Sequence, residues 1–275
     1  MTLFRGTVSF YRQYRPGIPQ SVASILDAAV GRGKPRRLLD VGTGTGLVVE
    51  ALLGRFDDII AIDNDADMLA AAEAALRPQL PDSTALLLRQ VPAEAFVPPS
   101  GWLADLVTIC RAFHWLDQAT VLARLDTQVS PHGAVAIFGD NSFWAATSAW
   151  KTAVRSIVQD FLGEQRRAGS NTFQHHDRPY SDIMRESPFS QVEEYTVPVT
   201  RTWTADSILG YLYSTSFAAP QLFGDRLDDF DQAVRGTLAK LCDTDSFEED
   251  NEFIIRIGRR GICVAAPPGH AKRRG

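Results

Sequence analysis

Apolar positions along the first half of the chain alternate between two periods. Val22, Ile25, Leu26 and Ala29 fall at i, i+3, i+4 and i+7, one face of a helix, and Gly31 and Gly33 supply its stop. Residues 37–41 are a short apolar run that predicts a strand. A glycine-rich stretch follows, and residues 47–53 return to helical spacing. Residues 58–62 predict a second strand. Residues 65–76, rich in alanine, predict a helix capped by Asn64 or Asp65. Residues 85–88 predict a third strand, and residues 103–110 a fourth. The fourth is apolar almost throughout, as a strand covered on both faces requires. Asp117 caps a helix predicted through Val129, and residues 134–138 predict a fifth strand. Alternation of this kind predicts an α/β fold, a parallel sheet with helices on both faces joined by right-handed crossovers.

After Gly139 the rhythm breaks. Residues 144–161 have helical spacing, and residues 166–188 are polar and rich in turn formers. Residues 141–190 are therefore expected to form an inserted lid and acceptor region, because long irregular segments of compact domains tend to be binding loops. A strand is predicted over 192–200, helices over 205–213 and 227–241, and a last strand or hairpin arm over 252–264. The expected organisation is an N-terminal arm at 1–19, a ligand-binding core at 20–140, the insertion at 141–190, the C-terminal part of the core sheet at 191–266 and a disordered tail at 267–275. The basic run from His270 to Arg274 reads as a solvated, frayed end.

Composition narrows the function classes. The chain has 275 residues, 45% of them apolar, enough for a sizeable core. A net charge of −5 and the lack of an internal basic stripe argue against a nucleic-acid partner, whose phosphates demand cations. No leader-like apolar segment opens the chain, and no run of uncharged residues is long enough to span a bilayer. A cytoplasmic protein without a membrane partner is expected. Cys110, Cys242 and Cys263 are widely spaced without a CxxC pair, which suggests neither a zinc site nor a disulfide framework. His175-His176-Asp177 reads as a surface loop, and no carboxylate cluster points to a magnesium site, so no metal is expected. A homo-oligomer is left open.

The central motif is Asp40-Val41-Gly42-Thr43-Gly44-Thr45-Gly46, between a predicted strand and a predicted helix. Glycines there let the backbone turn tightly and let a ligand approach the main chain. A phosphate-binding P-loop requires a lysine after its last glycine, and none follows Gly46. A dinucleotide fingerprint requires a third glycine where Leu47 stands, and here it arrives one residue early. Asp63 ends the second strand about 20 residues on, where a carboxylate can accept both ribose hydroxyls of an adenosine.

With these residues in place, Asp40 through Gly46 resembles motif I of class I S-adenosylmethionine-dependent methyltransferases, and Ile60-Ala61-Ile62-Asp63 resembles their acidic second-strand motif. Pro92-Ala93-Glu94-Ala95 is similar to the loop that holds the adenine, and Cys110-Arg111-Ala112-Phe113-His114-Trp115 to the aromatic segment after strand four. Tyr14-Arg15-Pro16-Gly17 resembles an N-terminal segment of the family. Thr202-Trp203 through Tyr211 to Ser216 resembles the trans-aconitate methyltransferase-like branch, whose layout some antibiotic-tailoring N- and O-methyltransferases share. The resemblance covers residues 8 to 262 and matches 141–190 least.

It implies a Rossmann-like doubly wound seven-stranded sheet, mostly parallel, with an antiparallel last strand beside 134–138. It also implies S-adenosylmethionine as methyl donor and a small-molecule acceptor methylated at N, O or a carboxylate, in natural-product biosynthesis. The implied cofactor-binding residues are Asp40, Gly42, Thr43, Gly44 and Gly46 on the loop, and Asp63, Asn64 and Met68 after strand two. Ala93 and Glu94 join them after strand three, Cys110 and Arg111 after strand four, and Arg15 from the arm. Methyl transfer is an in-line displacement that needs alignment and exclusion of water. Phe113 and Trp115 are candidates for an aromatic wall. His114 is a candidate base, or a structural residue behind the cofactor. Tyr11 and Tyr14 are candidates on a closing arm, and Arg15 for a carboxylate of cofactor or substrate. Two other classes stay open: a protein that binds the cofactor for a different reaction, and a nucleotide-dependent dehydrogenase, which the loop spacing disfavours.

Overall fold

The computed structural model describes residues 6–145, 147–165, 167–168, 171–172 and 178–261. Helices α1 (Val8–Tyr14) and α2 (Gln20–Ala28) precede β1 (Arg37–Val41), and α3 (Leu47–Ala51) joins it to β2 (Asp58–Asp63). Then come α4 (Ala66–Leu76), β3 (Ala85–Gln90), β4 (Ala104–Cys110), α5 (Gln118–Leu125), β5 (Val129–Asp140) and α6 (Ala149–Leu162). A two-residue ladder pairs β6 (Arg167–Ala168) with β7 (Asn171–Thr172). The described chain finishes with α7 (Tyr180–Arg185), β8 (Gln191–Trp203), α8 (Ala205–Tyr213), α9 (Leu227–Leu241) and β9 (Phe247–Arg259).

Seven strands form one sheet in the order β3-β2-β1-β4-β5-β9-β8. The first five pair in parallel, and β9 runs antiparallel between β5 and β8. The order reverses between β1 and β4, so the loops leaving these two strands diverge and open a crevice. The seven-stranded α/β sheet with an antiparallel last strand is as expected.

Burial follows from the alternation of side chains along each strand. Leu38, Ile59, Leu106 and Ala136 face α2, α3 and α4 in one core. Leu39, Ile60, Val107 and Ile137 face α5 and α7 in a second. A third core lies apart from the sheet faces, where α6, α8 and α9 pack on one another. Trp150, Val154, Val158 and Leu162 recur every four residues of α6, and Phe230, Val234 and Leu238 do so on α9.

Several boundaries differ from the sequence expectation. The helix capped by Asp117 ends at Leu125, and Val129 opens β5 by pairing with Ala104. Ser130-Pro131-His132-Gly133 looks like a turn in sequence, yet the chain passes through it as an irregularity in the β4 ladder. Helix α6 begins at Ala149, because residues 143–145 make a separate 3-10 turn and the backbone at Ser148 is extended. Strand β9 begins at Phe247: the charged run from Glu248 to Glu252 pairs with β8 along its length. Asp65, not Asn64, caps α4, its carboxylate accepting from the N–H groups of Asp67 and Met68. Segment 141–190 divides: α6 joins the third core, while Met184 of α7 packs in the second core under the sheet. The expectations for Cys263, for His175-His176-Asp177 and for the tail 267–275 lie outside the described residues.

Candidate active site

The loop after β1 is pinned to its neighbour strand. The N–H groups of Gly42 and Thr43 both donate to the Ile62 carbonyl, at 2.9 and 3.0 Å. Gly42 has φ +69°, and a Cβ on it would lie 2.6 Å from the Ala112 Cβ. The loops leaving β1 and β4 therefore touch at this point, and a side chain would force them apart. Gly46 caps α3 at φ +85°, where a Cβ would meet Leu76 Cδ1 of α4 at 2.8 Å. The Gly44 face meets the Tyr11 ring at ordinary contact distance, so α1 lies over the loop. Arg12 of α1 holds that position with a two-point ion pair to Glu50 of α3, at 2.6 and 2.8 Å.

Two carboxylates sit under and beside the loop. Asp63 accepts from the Gly44 N–H at 2.8 Å and from the Asp65 N–H at 3.0 Å. Burial raises its pKa, against the pull of these backbone N–H groups. Each oxygen keeps a lone pair for a further donor. Asp40 is only 1% exposed and accepts from the Thr108 hydroxyl at 2.7 Å. Burial pushes its pKa up to about 6, although the Thr43 and Thr108 hydroxyls pull the other way.

A cavity of about 450 Å³ opens beside the loop. Gly42 and Gly44 form one wall, Asp63, Asn64 and Met68 a second, and Ala93, Glu94, Cys110 and Arg111 the far side. Glu94 also accepts from the Asp117 N–H at 2.9 Å. Burial pushes the Cys110 thiol up to about 12, so it stays a thiol at neutral pH.

A second cavity, of about 400 Å³, lies on the side of the third core. Tyr11 and Arg15 come from the arm, Phe113 and His114 from the loop after β4, and Asn141, Ser142, Trp144 and Tyr180 from segment 141–190. Tyr211 and Phe217 follow from α8 and the loop after it, and Ile254 and Arg256 from β9. Tyr11, Arg111, Ala112 and Trp115 line both cavities, so they form the neck between them.

Arg111 is the hinge of the arrangement. It is a non-glycine residue at φ 54°, an uncommon conformation that costs of order 1–3 kcal/mol and that functional sites retain. Its N–H donates to the Phe138 carbonyl, and its Nε reaches Asp140 at 2.6 Å. Asp140 also pairs with Arg201 at 2.8 Å. Burial alone would raise Asp140, but the two guanidiniums hold it at about 2. The chain of charges continues from Arg201 to Glu249 at 3.5 Å and from Glu249 to Lys151 of α6. Trp203 Nε1 and Asn251 Nδ2 also donate to Glu249, at 2.7 and 2.9 Å. This buried network ties the neck to the third core. Removing Asp140 would leave the buried Arg111 guanidinium without its carboxylate partner.

The structure distributes the expected site residues unevenly. Gly42, Gly44, Asp63, Asn64, Met68, Ala93, Glu94, Cys110 and Arg111 all line the first cavity. Asp40, Thr43 and Gly46 line neither cavity, and all three are buried. Arg15 lines the second cavity and not the first. Tyr11 reaches both, and Phe113 and His114 reach the second, with the His114 ring 4.5 Å from that of Trp115. Tyr14 corrects its expectation: it stacks with Phe10 and packs against Gly210, where any Cβ would strike its ring, and lines neither cavity. Sequence reasoning missed Asp140, Arg201, Arg256 and Phe217. Only Asp140, a charge ending an apolar strand, carried a local signal.

The arrangement can hold two ligands that meet at a neck bounded by Tyr11, Arg111, Ala112 and Trp115. Among the described residues there is no group of three metal-ligating side chains, and no helix long and apolar enough to cross a membrane.

Residues 39–137 match the family model described as a methyltransferase domain. An uncharacterized methyltransferase of Mycobacterium tuberculosis is 27% identical over 215 residues, spanning 78% of this chain and 76% of its own. The malonyl-acyl-carrier-protein O-methyltransferase of Halalkalibacterium halodurans is 25% identical over 131 residues, 46% of this chain and 48% of that protein. A solved structure from Anaeromyxobacter dehalogenans superposes with a TM-score of 0.58 at 19% identity, covering 90% of this chain and 98% of that one. The Haemonchus contortus phosphoethanolamine N-methyltransferase 2, solved with phosphomonomethylethanolamine and S-adenosylhomocysteine, gives 0.52 at 15% identity over 94% of this chain and 58% of that one. Likeness at these identities establishes a shared fold.

Proposed function

We propose that this chain, which carries a class I methyltransferase domain, transfers a methyl group from S-adenosylmethionine to a small-molecule acceptor in the cytoplasm. The observation that carries the reading is the pair of cavities joined at the neck of Tyr11, Arg111, Ala112 and Trp115. The first has the donor set that an adenosyl amino acid requires. Asp63 offers free lone pairs to a ribose diol, Met68 and Ala93 an apolar seat for the base, and the bare backbone at Gly42 and Gly44 room for the amino-acid end. When bound, S-adenosylmethionine supplies an electrophilic methyl group on a sulfonium whose departure needs no acid.

The chain's own residues then have three tasks. Tyr11 and Trp115 wall the neck and offer aromatic faces to a cationic centre. The Arg12–Glu50 pair keeps α1, and with it Tyr11, over the loop and so excludes water. His114 stands on the acceptor side, where a base would take an acceptor proton. The layout that some antibiotic-tailoring N- and O-methyltransferases share with the trans-aconitate methyltransferase-like branch, which the stretch from Thr202 to Ser216 resembles, supports an acceptor from secondary metabolism.

The dehydrogenase reading loses support from the sheet. Dinucleotide-binding sheets of this kind continue in parallel past the fifth strand, whereas here antiparallel β9 follows β5. Calorimetric titration of the purified protein with S-adenosylhomocysteine and with NAD tests the proposal. The expected result is micromolar or tighter binding of the first and none of the second. Binding of NAD alone would overturn it.

A further inference from the structure

The two cavities differ in charge. Asp63, Asp65 and Glu94 give the first an acidic lining beside the single guanidinium of Arg111. The second reverses the balance: Arg15, Arg111 and Arg256 line it against one carboxylate, Asp140. That carboxylate is already committed to Arg111 and Arg201. Arg256 has Glu194 at 3.2 Å. Arg15 has no ion-pair partner among the described residues. Its Nη2 donates to the Ser214 carbonyl at 3.2 Å, and its Nε is buried with no hydrogen-bond partner. Arg111 Nη2 is likewise buried and unpartnered.

A guanidinium cannot shed its proton, so an unpaired one in a buried setting is satisfied only by an acceptor from outside. Its planar fork matches a carboxylate at two points. Arg15 is also held in orientation, its Cζ lying 4.9 Å from the Tyr11 ring centre and 5.0 Å from that of Tyr211. A side chain fixed between two aromatic rings has little left to lose on binding, which is the condition for a preorganised receptor. The remaining wall is aromatic, with Phe113, Trp144, Tyr180 and Phe217, and suits an apolar body of modest size.

We propose that the second cavity takes an acceptor that carries a carboxylate, received by Arg15, with the free Nη2 of Arg111 as a second donor. The inference rests on the methyl-transfer reading of the two cavities. The amino-acid end of the methyl donor is another source of a carboxylate. Arg15 lines the second cavity and not the first, which assigns it to the acceptor.

The test is calorimetry on the full chain saturated with S-adenosylhomocysteine, using hydrocinnamate, its primary amide and the amine of the same skeleton as probes. Wild type is expected to bind the carboxylate about ten- to a hundredfold more tightly than the amide, with the amine weakest. The preference should shrink as salt rises. In Arg15→Gln the preference disappears while affinity for S-adenosylhomocysteine holds, and Arg15→Lys recovers part of it. Equal binding of carboxylate and amide by wild type overturns the proposal, as does failure of hydrocinnamate to bind. So does a preference that survives Arg15→Gln. Loss of S-adenosylhomocysteine affinity in that variant, with the preference intact, assigns Arg15 to the donor's carboxylate and also overturns it. Failure of S-adenosylhomocysteine to bind wild type strikes the methyltransferase reading itself, and this inference falls with it.

Discussion

Replacing Asp63 separates its two tasks, holding the glycine loop and holding a ligand. In the free protein its oxygens accept from Gly44 at 2.8 Å and Asp65 at 3.0 Å, so Asp63→Ala deletes two hydrogen bonds to a charged group. Gross loss is about 1.5–3 kcal/mol per bond, offset by relief of a carboxylate whose burial already raises its pKa. A net cost of about 1–2 kcal/mol lowers the melting temperature by about 2–8 °C, leaving a folded protein. The ligand side has no such offset. A ribose diol loses both acceptors, and affinity for S-adenosylhomocysteine should fall by about ten- to a hundredfold. Asp63→Asn keeps one carbonyl oxygen and turns an acceptor into a donor. It should therefore bind between wild type and Asp63→Ala. Calorimetry at neutral pH, with a melt on the same samples, measures both quantities. Cooperative unfolding of Asp63→Ala with an unchanged dissociation constant would refute the reasoning and leave Asp63 as a loop anchor only.

Gly42→Ala should abolish tight binding of S-adenosylhomocysteine, because its Cβ would stand 2.6 Å from the Ala112 Cβ at a φ of +69°; retained affinity in a titration would show that the loops at the neck can part freely. Asp40→Asn should change how stability varies with pH. Burial pushes the Asp40 carboxyl up to about 6, so the stability of its neutral form is whole below the ordinary value of 3.8 and is lost as pH rises through about 6. The asparagine, neutral throughout, should gain on wild type by up to about 3 kcal/mol between acid and neutral pH in chemical unfolding; a pH-independent difference would contradict the burial of that charge. His114→Ala should leave affinity for S-adenosylhomocysteine within about twofold, since His114 lines only the second cavity, and should lower single-turnover rate by about 10²–10⁴ where it takes the acceptor's proton. A drop in cofactor affinity with the rate preserved would place it on the wrong side of the neck.

The first cavity was legible because its parts are local. Strand β1, the lining glycines at 42 and 44, and Asp63 at the end of β2 follow from short patterns, each with its own backbone reason. Helices α8 and α9 also fall where periodicity puts them, since each buries a single face in the third core. The second cavity was not legible in the same way. Its walls come from α1, the loop after β4, residues 141–144, α7, α8 and β9, which only the fold brings together. The chain Arg111–Asp140–Arg201–Glu249–Lys151 is the clearest case. In sequence the polar run from Glu248 to Asn251 falls before the expected strand at 252–264. In the structure Glu249 turns inward because Lys151, Trp203 and Asn251 supply its hydrogen bonds, and the strand starts five residues sooner than apolar alternation suggests. Segment 141–190 misleads for a related reason. Its polarity hides α7, whose Met184 is fully buried beneath the sheet.

A crystal structure of the protein with S-adenosylhomocysteine tests the central claim most directly, because the claim is about where one sulfur atom sits. The account predicts the ribose hydroxyls on the Asp63 carboxylate and the base beside Met68 and Ala93. It predicts the sulfur at the neck bounded by Tyr11, Arg111, Ala112 and Trp115, facing the second cavity. A ribose away from Asp63, or a sulfur turned away from that neck, would contradict it.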